Sequence, residues 1–353
     1  MDIQPYLKLM VDKVASDLFF TAEAPVKIKI DGKAVSVGKT ELTPELSEAA
    51  AFGIMNDRQK AEFESSNECD FAISLPDGSA RFRVNVFRQR GRVAMVLRLI
   101  PQKVPTLEEL RMPEILGEMV MEKRGLILMV GATGSGKSTT LAAMVNHRNN
   151  GEAGHILTIE DPIEFYHPNL KSIVNQREVG VDTISYARAL RSSLREAPDV
   201  ILVGEVRDRE TMEAALELCN TGHLALSTLH ANNANQAMER VINMFPQDSH
   251  KQLFMDLSLN LRGVISQRLV PDVNGKRCAA IEILVNTPHI AELILKGEID
   301  GIKEAMQESG QRGMQTFDDA LYDLYRINRI TLEQTLSNAD SPNSLEARIN
   351  FGG

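Results

Sequence analysis

Residues 131–140 read GATGSGKSTT and follow directly on the apolar run GLILMV at 125–130. An apolar strand, a glycine-rich turn and a helix-forming segment in that order fit GxxxxGK[ST], with Gly131, Gly136, Lys137 and Ser138 at the defining positions. Each residue type has a physical reason. Glycines let backbone N–H groups turn inward around phosphate oxygens. A lysine at position 137 neutralises β- and γ-phosphates, and the Ser138 hydroxyl suits Mg²⁺. The helix that starts here aims its positive end at the anion. The stretch therefore predicts a bound nucleoside triphosphate, with Gly131, Thr133, Gly134, Ser135, Gly136, Lys137, Ser138 and Thr139 as its contacts. The bland alternative, a glycine-rich turn without a ligand, fits the preceding strand and the spacing less well.

Three stretches downstream bear on what the triphosphate is for. VILVGE at 200–205 is an apolar strand ending in a carboxylate. In P-loop enzymes such an acid is associated with Mg²⁺, which makes Glu205 the candidate. HILTIEDPIEF at 155–165 crowds Glu160, Asp161 and Glu164 just past a strand end. One of them could orient and deprotonate water, or the three could form an acidic surface loop; the residues alone leave both open. GHLALSTLH at 222–230 puts His223 and His230 at the two ends of an apolar strand. Two satisfied histidines at a sheet edge are the ordinary reading, and contacts to a nucleotide or a neighbouring subunit are the functional one.

Working outward, these strands alternate with amphipathic helices, the pattern of a mostly parallel sheet covered by helices. Residues 183–197 carry Ala187, Leu190 and Leu194 at helical spacing and stop at Pro198. Residues 208–220 place Met212, Ala215, Leu216 and Cys219 on one face. Upstream, PQKVPTLEELRMP at 101–113 holds three prolines and reads as a linker. Residues 1–100 read as α+β. A helix is expected over 3–16 through Ile3, Leu7, Met10, Val11 and Val14, and another over 44–65. VKIKIDGKAVSV at 26–37 reads as a hairpin turning at Asp31-Gly32. The stretch 71–100 reads as a meander turning at Pro76-Asp77-Gly78 and Gln89-Arg90-Gly91. Alternation puts Phe82, Val84 and Val86 on one face of this sheet and Arg81 and Arg83 on the other, and turns Arg98 away from Val93, Met95, Leu97 and Leu99. The segment 336–353 is polar and is expected to be a loosely held tail.

Bulk composition narrows the classes. The 353 residues suggest two domains, and 43% hydrophobic with 25% charged content is that of a globular protein. A net charge of −9 argues against a general nucleic-acid binder. No apolar run is long enough to cross a bilayer, and MDIQPYLKLMVDKV at 1–14 lacks a signal-peptide core, so a cytoplasmic location is expected. Cys69, Cys219 and Cys278 are far apart and form no zinc cluster.

Taken together, GATGSGKSTT, ILTIEDPIEF, ILVGEVRD and TGHLALSTLH resemble, in order, the Walker A loop, Asp box, Walker B strand and His box of the secretion and pilus ATPase superfamily. Within it the chain looks like the PilT/PilU retraction group, over most of its length and including ARFRVNVF and LRLIP. The resemblance implies an N-terminal PAS-like domain over 1–100, a linker over 101–113, a RecA-like P-loop ATPase domain over 114–335 and a tail over 336–353, in an α/β protein. It implies a homo-hexameric ring that hydrolyses ATP with Mg²⁺ and drives or assists type IV pilus retraction and twitching motility. It assigns Glu164 as general base, Glu205 as the Mg²⁺-associated acid, and His223 and His230 as His-box residues, with His230 among the catalytic groups. Arg83 and Arg98, and less directly Arg81, become candidate nucleotide contacts. An inner-membrane platform protein at the pilus base and a paralogous retraction ATPase become candidate partners.

Two departures narrow the subtype. Assembly and type II secretion relatives carry a tetracysteine module after the His box, which this chain lacks. TPHIAELILKGE at 287–298 stands where the principal retraction motor has an arginine-bearing signature, and lacks that arginine. The first favours retraction over extension; the second, together with the extended C-terminal tail, leans towards an accessory, PilU-like member. The rival readings are a non-motor docking partner of a more active retraction ATPase, and a pilus-extension or type II secretion ATPase.

Overall fold

The computed structural model describes residues 1–30, 32–101 and 103–351. Asp31 of the expected hairpin turn, Gln102 of the expected linker and the last two glycines of the expected tail lie outside the described residues. The chain divides into two compact units, Met1–Lys103 with Glu164–Tyr166, and Val104–Ile163 with His167–Gly353.

The first unit is built on β1 (Asp17–Phe20), β2 (Pro25–Ile30), β3 (Lys33–Glu41), β4 (Glu68–Ser74), β5 (Arg81–Gln89) and β6 (Arg92–Ile100). They form one antiparallel sheet in the order β3-β2-β1-β6-β5-β4. Alternation along β5 buries Phe82, Val84 and Val86 and leaves Arg83 exposed. The buried face packs with Leu7 and Met10 of α1 (Gln4–Asp12) and Phe63 in one core. At the β5–β6 turn Arg90 and Gly91 both have positive φ, 49° and 75°, the geometry of a two-residue hairpin loop.

The two expected helices of this unit differ from their reading. The first stops at Asp12 and not at residue 16. Val14 N–H bonds to the Val11 carbonyl and Ala15 N–H to the Met10 carbonyl, a Schellman closure. Val14 takes the left-handed position, φ 51°, and is 81% exposed, so it leaves the apolar face the spacing assigned to it. The helix expected over 44–65 is two, α2 (Pro44–Phe52) and α3 (Asp57–Ser66). A capping box between Asn56 and Gln59 restarts the chain.

The second unit contains α4 (Ile115–Val120), β7 (Gly125–Val130), α5 (Lys137–Gly151), β8 (His155–Glu160), β9 (Ile173–Glu178), α6 (Tyr186–Ser193) and β10 (Val200–Val203). Next come α7 (Arg209–Asn220), β11 (Leu224–Leu229), α8 (Ala234–Asn243), α9 (His250–Asn260), β12 (Leu261–Pro271) and β13 (Arg277–Val285). The sheet order is β13-β12-β7-β11-β10-β8-β9, parallel except for β13. β7, β10 and β11 are buried at every position, which is why they are unbroken apolar runs. α7 buries Met212, Ala215, Leu216 and Cys219 as the spacing predicts. α6 is shorter than 183–197, because Ser185 caps it through the Arg188 amide and Leu194 lies beyond it, 40% exposed.

The remaining helices are α10 (Pro288–Lys296), α11 (Ile302–Glu308), α12 (Phe317–Arg326), α13 (Leu332–Asn338) and α14 (Pro342–Phe351). The segment expected as a loose tail is thus largely helical. Leu345 of α14 is 2% exposed and joins Phe317, Leu321, Val270 and Ala280 in one cluster. Asp318 accepts hydrogen bonds from the Asp340 and Ser341 amides at 2.8 and 3.1 Å, and Arg348 donates to Asp319 at 2.6 Å. A polar composition hid one well-placed leucine and these caps. The three cysteines are unpaired, and burial pushes the Cys69 thiol up to about 11 and that of Cys219 to about 12, with Cys278 raised as well.

Candidate functional site

The loop between β7 and α5 has three left-handed glycines, Gly131 at φ 150°, Gly134 at 76° and Gly136 at 90°. They are required for different reasons. Gly134 has open space around its missing Cβ, so conformation alone demands it. A Cβ at Gly131 would stand 2.5 Å from the Gln267 carbonyl, and one at Gly136 would stand 2.7 Å from Gln267 Nε2. Lys137 begins α5 and is 9% exposed. Its ammonium donates to the carbonyls of Gly131 at 2.7 Å and Ala132 at 3.0 Å, folded over the loop. Ser135 Oγ is buried with no partner among the described residues. An orphaned hydroxyl, a buried cation and glycines beside a helix N-terminus fit a phosphate chain.

Sheet polarity brings the other groups to this loop. β7, β11, β10 and β8 are parallel neighbours, so their carboxyl ends lie side by side, where open α/β sheets bind ligands. His230 leaves the end of β11 and Glu205 the end of β10. His230 Nε2 lies 3.2 Å from Glu205 Oε1, and Arg207 Nε donates to Glu205 Oε2 at 2.7 Å. That bond raises the already high Arg207 pKa, and burial pushes the Tyr186 hydroxyl up. The turn carrying Glu205 is fastened to β11: the Val206 amide donates to the Thr228 carbonyl, and Thr228 Oγ1 donates to the Gly204 carbonyl at 2.6 Å. A cleft of ≈ 460 Å³ opens beside Gly131, Ala132 and His230 and is walled by Asn232, Gln236 and Arg240. Glu282, 3% exposed, anchors the amide of Ala234 at the start of that wall at 2.7 Å.

Ser138 and Thr139 are half-buried on the first turn of α5, and Thr133 is exposed on the loop. Of the three acids after β8, Glu160 is held by Thr158 Oγ1 at 2.6 Å and Gln176 Nε2 at 3.2 Å. Asp161 and Glu164 are exposed on a loop whose Asp161–Pro162 bond is cis. His223 does not join the cluster. It sits at the opposite end of β11, with Nδ1 3.1 Å from the Leu218 carbonyl and 3.1 Å from Thr221 Oγ1, closing the last turn of α7. Arg81, Arg83 and Arg98 belong to the first unit. Arg83 pairs with Arg98 in register across β5 and β6, and Arg98 donates to the buried Asp17 at 2.9 Å. A residue unmarked by any motif also serves the loop: Gln267, which accepts a hydrogen bond from Thr140, just past the expected nucleotide contacts, at 2.8 Å.

A strand, an inward-turned glycine loop capping a helix, and a carboxylate on the next-but-one strand define the P-loop nucleotide-binding class. Comparison with known proteins carries this further. A family model described as Type II/IV secretion system protein matches residues 1–330, and the chain belongs to that family. The type IV pilus ATPase PilU of Pseudomonas aeruginosa is 53% identical over the whole chain and 92% of that protein. The type IV pilus retraction ATPase PilT of the same organism is 44% identical over 97% of this chain and 99% of that one. A crystal structure of the pilus retraction motor PilT with bound ADP superimposes with a TM-score of 0.92, at 41% identity over 98% of this chain and 99% of that one. The two-part α/β architecture, an N-terminal domain followed by a RecA-like ATPase domain, is the fold of this family.

Proposed function

We propose that the chain is an ATPase of the type IV pilus retraction machine, converting ATP to ADP and phosphate to drive or assist twitching motility. The observation that carries this reading is the cleft that Gly131 and Ala132 of the Lys137 loop share with His230, the partner of Glu205. Full-length similarity to PilU and PilT supports the biological setting. In this reading the N–H groups of residues 131–139 and the Lys137 ammonium hold the phosphates. Ser138 and Glu205 are the residues that would hold Mg²⁺, which when bound neutralises phosphate charge. His230 holds one oxygen of Glu205 and Arg207 the other, so the carboxylate's orientation is set before anything binds. Glu164 is the proposed general base on water. Arg83 and Arg98 are the proposed contacts from the first unit.

The accessory, PilU-like role is the proposed subtype. It is supported by 53% identity over the whole chain and by α10, which carries HIAELILK without an arginine. A homo-hexameric ring, docking to an inner-membrane platform protein on the cytoplasmic side and association with a paralogous retraction ATPase belong to the same proposal. No helix among the described residues is long and apolar enough to cross a membrane. The test measures ATP turnover in Lys137→Ala and Glu164→Gln against protein concentration, beside particle mass. Wild-type turnover in either variant would overturn the site. Normal pilus retraction in cells carrying Glu164→Gln would leave docking as the role.

A further inference from the structure

We propose that Gln267 is a positioning residue that aims the phosphate-binding loop, with Thr140 as its second anchor; the inference rests on the nucleotide reading above.

The geometry begins with register. β12 runs parallel to β7, and the last pair is Ser266 opposite Val130. One residue further, β12 continues while β7 gives way to the loop, so Gln267 stands opposite Gly131. Its backbone carbonyl closes the near end of the loop, where a Cβ on Gly131 would come within 2.5 Å. Its side chain reaches the far end. Gln267 Nε2 donates to the Ser135 carbonyl at 2.8 Å, and Oε1 accepts from Thr140 Oγ1 at 2.8 Å. Gln267 is 2% exposed and Thr140 1%, so water does not compete for these bonds. The amide orientation follows from its partners. A carbonyl accepts only, so the NH₂ must face Ser135 and the oxygen is left for the Thr140 hydroxyl.

Across a trans peptide C=O and N–H point in opposite directions. Tying the Ser135 carbonyl to β12 therefore turns the Gly136 N–H away from β12. The same bond occupies the one group of this peptide that would repel phosphate. Ser135 Oγ stays unpartnered and Gly136 keeps φ at 90°, with Gln267 Nε2 filling the space a side chain would need. One neutral side chain thus sets both the aim of the loop and its requirement for glycine. A charged residue could not do this: glutamate would lose the donor to Ser135 and add a negative charge beside the phosphates, and lysine would lose the acceptor for Thr140.

The test uses the full-length chain with Mg²⁺ and ADP as the probe, reading Kd by calorimetry and Tm with and without nucleotide. Gln267→Leu keeps the volume and removes both hydrogen bonds. It is expected to weaken ADP binding about tenfold or more, the scale of a lost buried hydrogen bond, and to shrink the ADP-induced rise in Tm more than it lowers the Tm of the free protein. Thr140→Val is expected to weaken binding, and Thr140→Ser, which restores the hydroxyl, to recover most of the loss. Should Gln267→Leu not fold, the Thr140 pair decides. Gln267→Leu binding ADP like the wild type, or Thr140→Ser binding no better than Thr140→Val, overturns the proposal. Lys137→Ala separates the two readings. Loss of ADP binding in that variant with none in Gln267→Leu defeats only the positioning role, whereas a wild-type chain that binds no ADP defeats the nucleotide reading and this inference with it.

Discussion

The two ends of β11 carry the same residue type and do different work. The strand is six residues long, with His223 just before it and His230 just after. At the amino end, His223 meets a carbonyl and a hydroxyl of the helix turn that precedes it. At the carboxyl end, His230 meets Glu205 from the neighbouring strand. Strand polarity makes the difference. Parallel strands gather all their carboxyl ends on one side, so residues distant in sequence converge there, while the other side receives helix ends that need capping. A third histidine shows what happens away from both ends. His167 is 4% exposed, its Nδ1 has no partner among the described residues, and burial lowers its pKa from 6.5 to about 4.

This contrast can be broken in four places. The largest effect is expected at the loop beside the carboxyl end. Lys137→Ala should lower ATP turnover by about 10²–10³, the scale of removing a preorganised electrostatic contact, as read in a steady-state phosphate-release assay. Next is the acid sensitivity of the buried histidine. Its pKa is depressed in the folded state, so the unfolded chain binds the proton more readily. The stability it supports is complete above pH 6.5 and falls as the pH drops from 6.5 towards 4, by roughly 3 kcal/mol across the window. Urea melts at pH 7 and pH 5 should show about 2 kcal/mol of this loss in the wild type and a smaller one in His167→Gln; equal losses would remove His167 from the account.

His230→Ala removes the partner of Glu205 and should reduce turnover about tenfold to a hundredfold, the kinetic counterpart of ~1.5–3 kcal/mol for a hydrogen bond to a charged group. His223→Ala should do least. Losing its contacts to Leu218 and Thr221 should cost about 1 kcal/mol of stability by denaturant titration, with turnover per folded molecule unchanged. A turnover loss in His223→Ala equal to that in His230→Ala would erase the distinction between the two ends.

Much of this was legible in the sequence, and the reasons are specific. GLILMV, VILV and LALSTL are unbroken apolar runs because both faces of the central sheet are covered, and such runs are easy to recognise. The loop glycines were legible because their chemistry has a fixed spacing. β9 and β12 were not, since IVNQRE and LRGVISQRLVP mix polar residues into the strand. The polar Gln267 in β12 is the residue that touches the loop, so what hid the strand is also what gives it a role. Which of the two histidines meets Glu205 was not legible, because that contact depends on β10 lying parallel beside β11, a pairing distant in sequence. The helical end of the chain was missed because capping by Asp318 and burial of Leu345 are long-range events with no local periodicity.

The three high-pKa thiols have a practical consequence. Thiolate is the form that reacts with alkylating dyes, and Cys69 and Cys219 are buried while Cys278 is partly covered. A cysteine introduced on an exposed position, such as Lys39→Cys on one unit or Gln252→Cys on the other, would label far faster than any native thiol. The wild-type chain therefore comes ready for pairwise fluorescence distance measurements, with no cysteine-free background to build first.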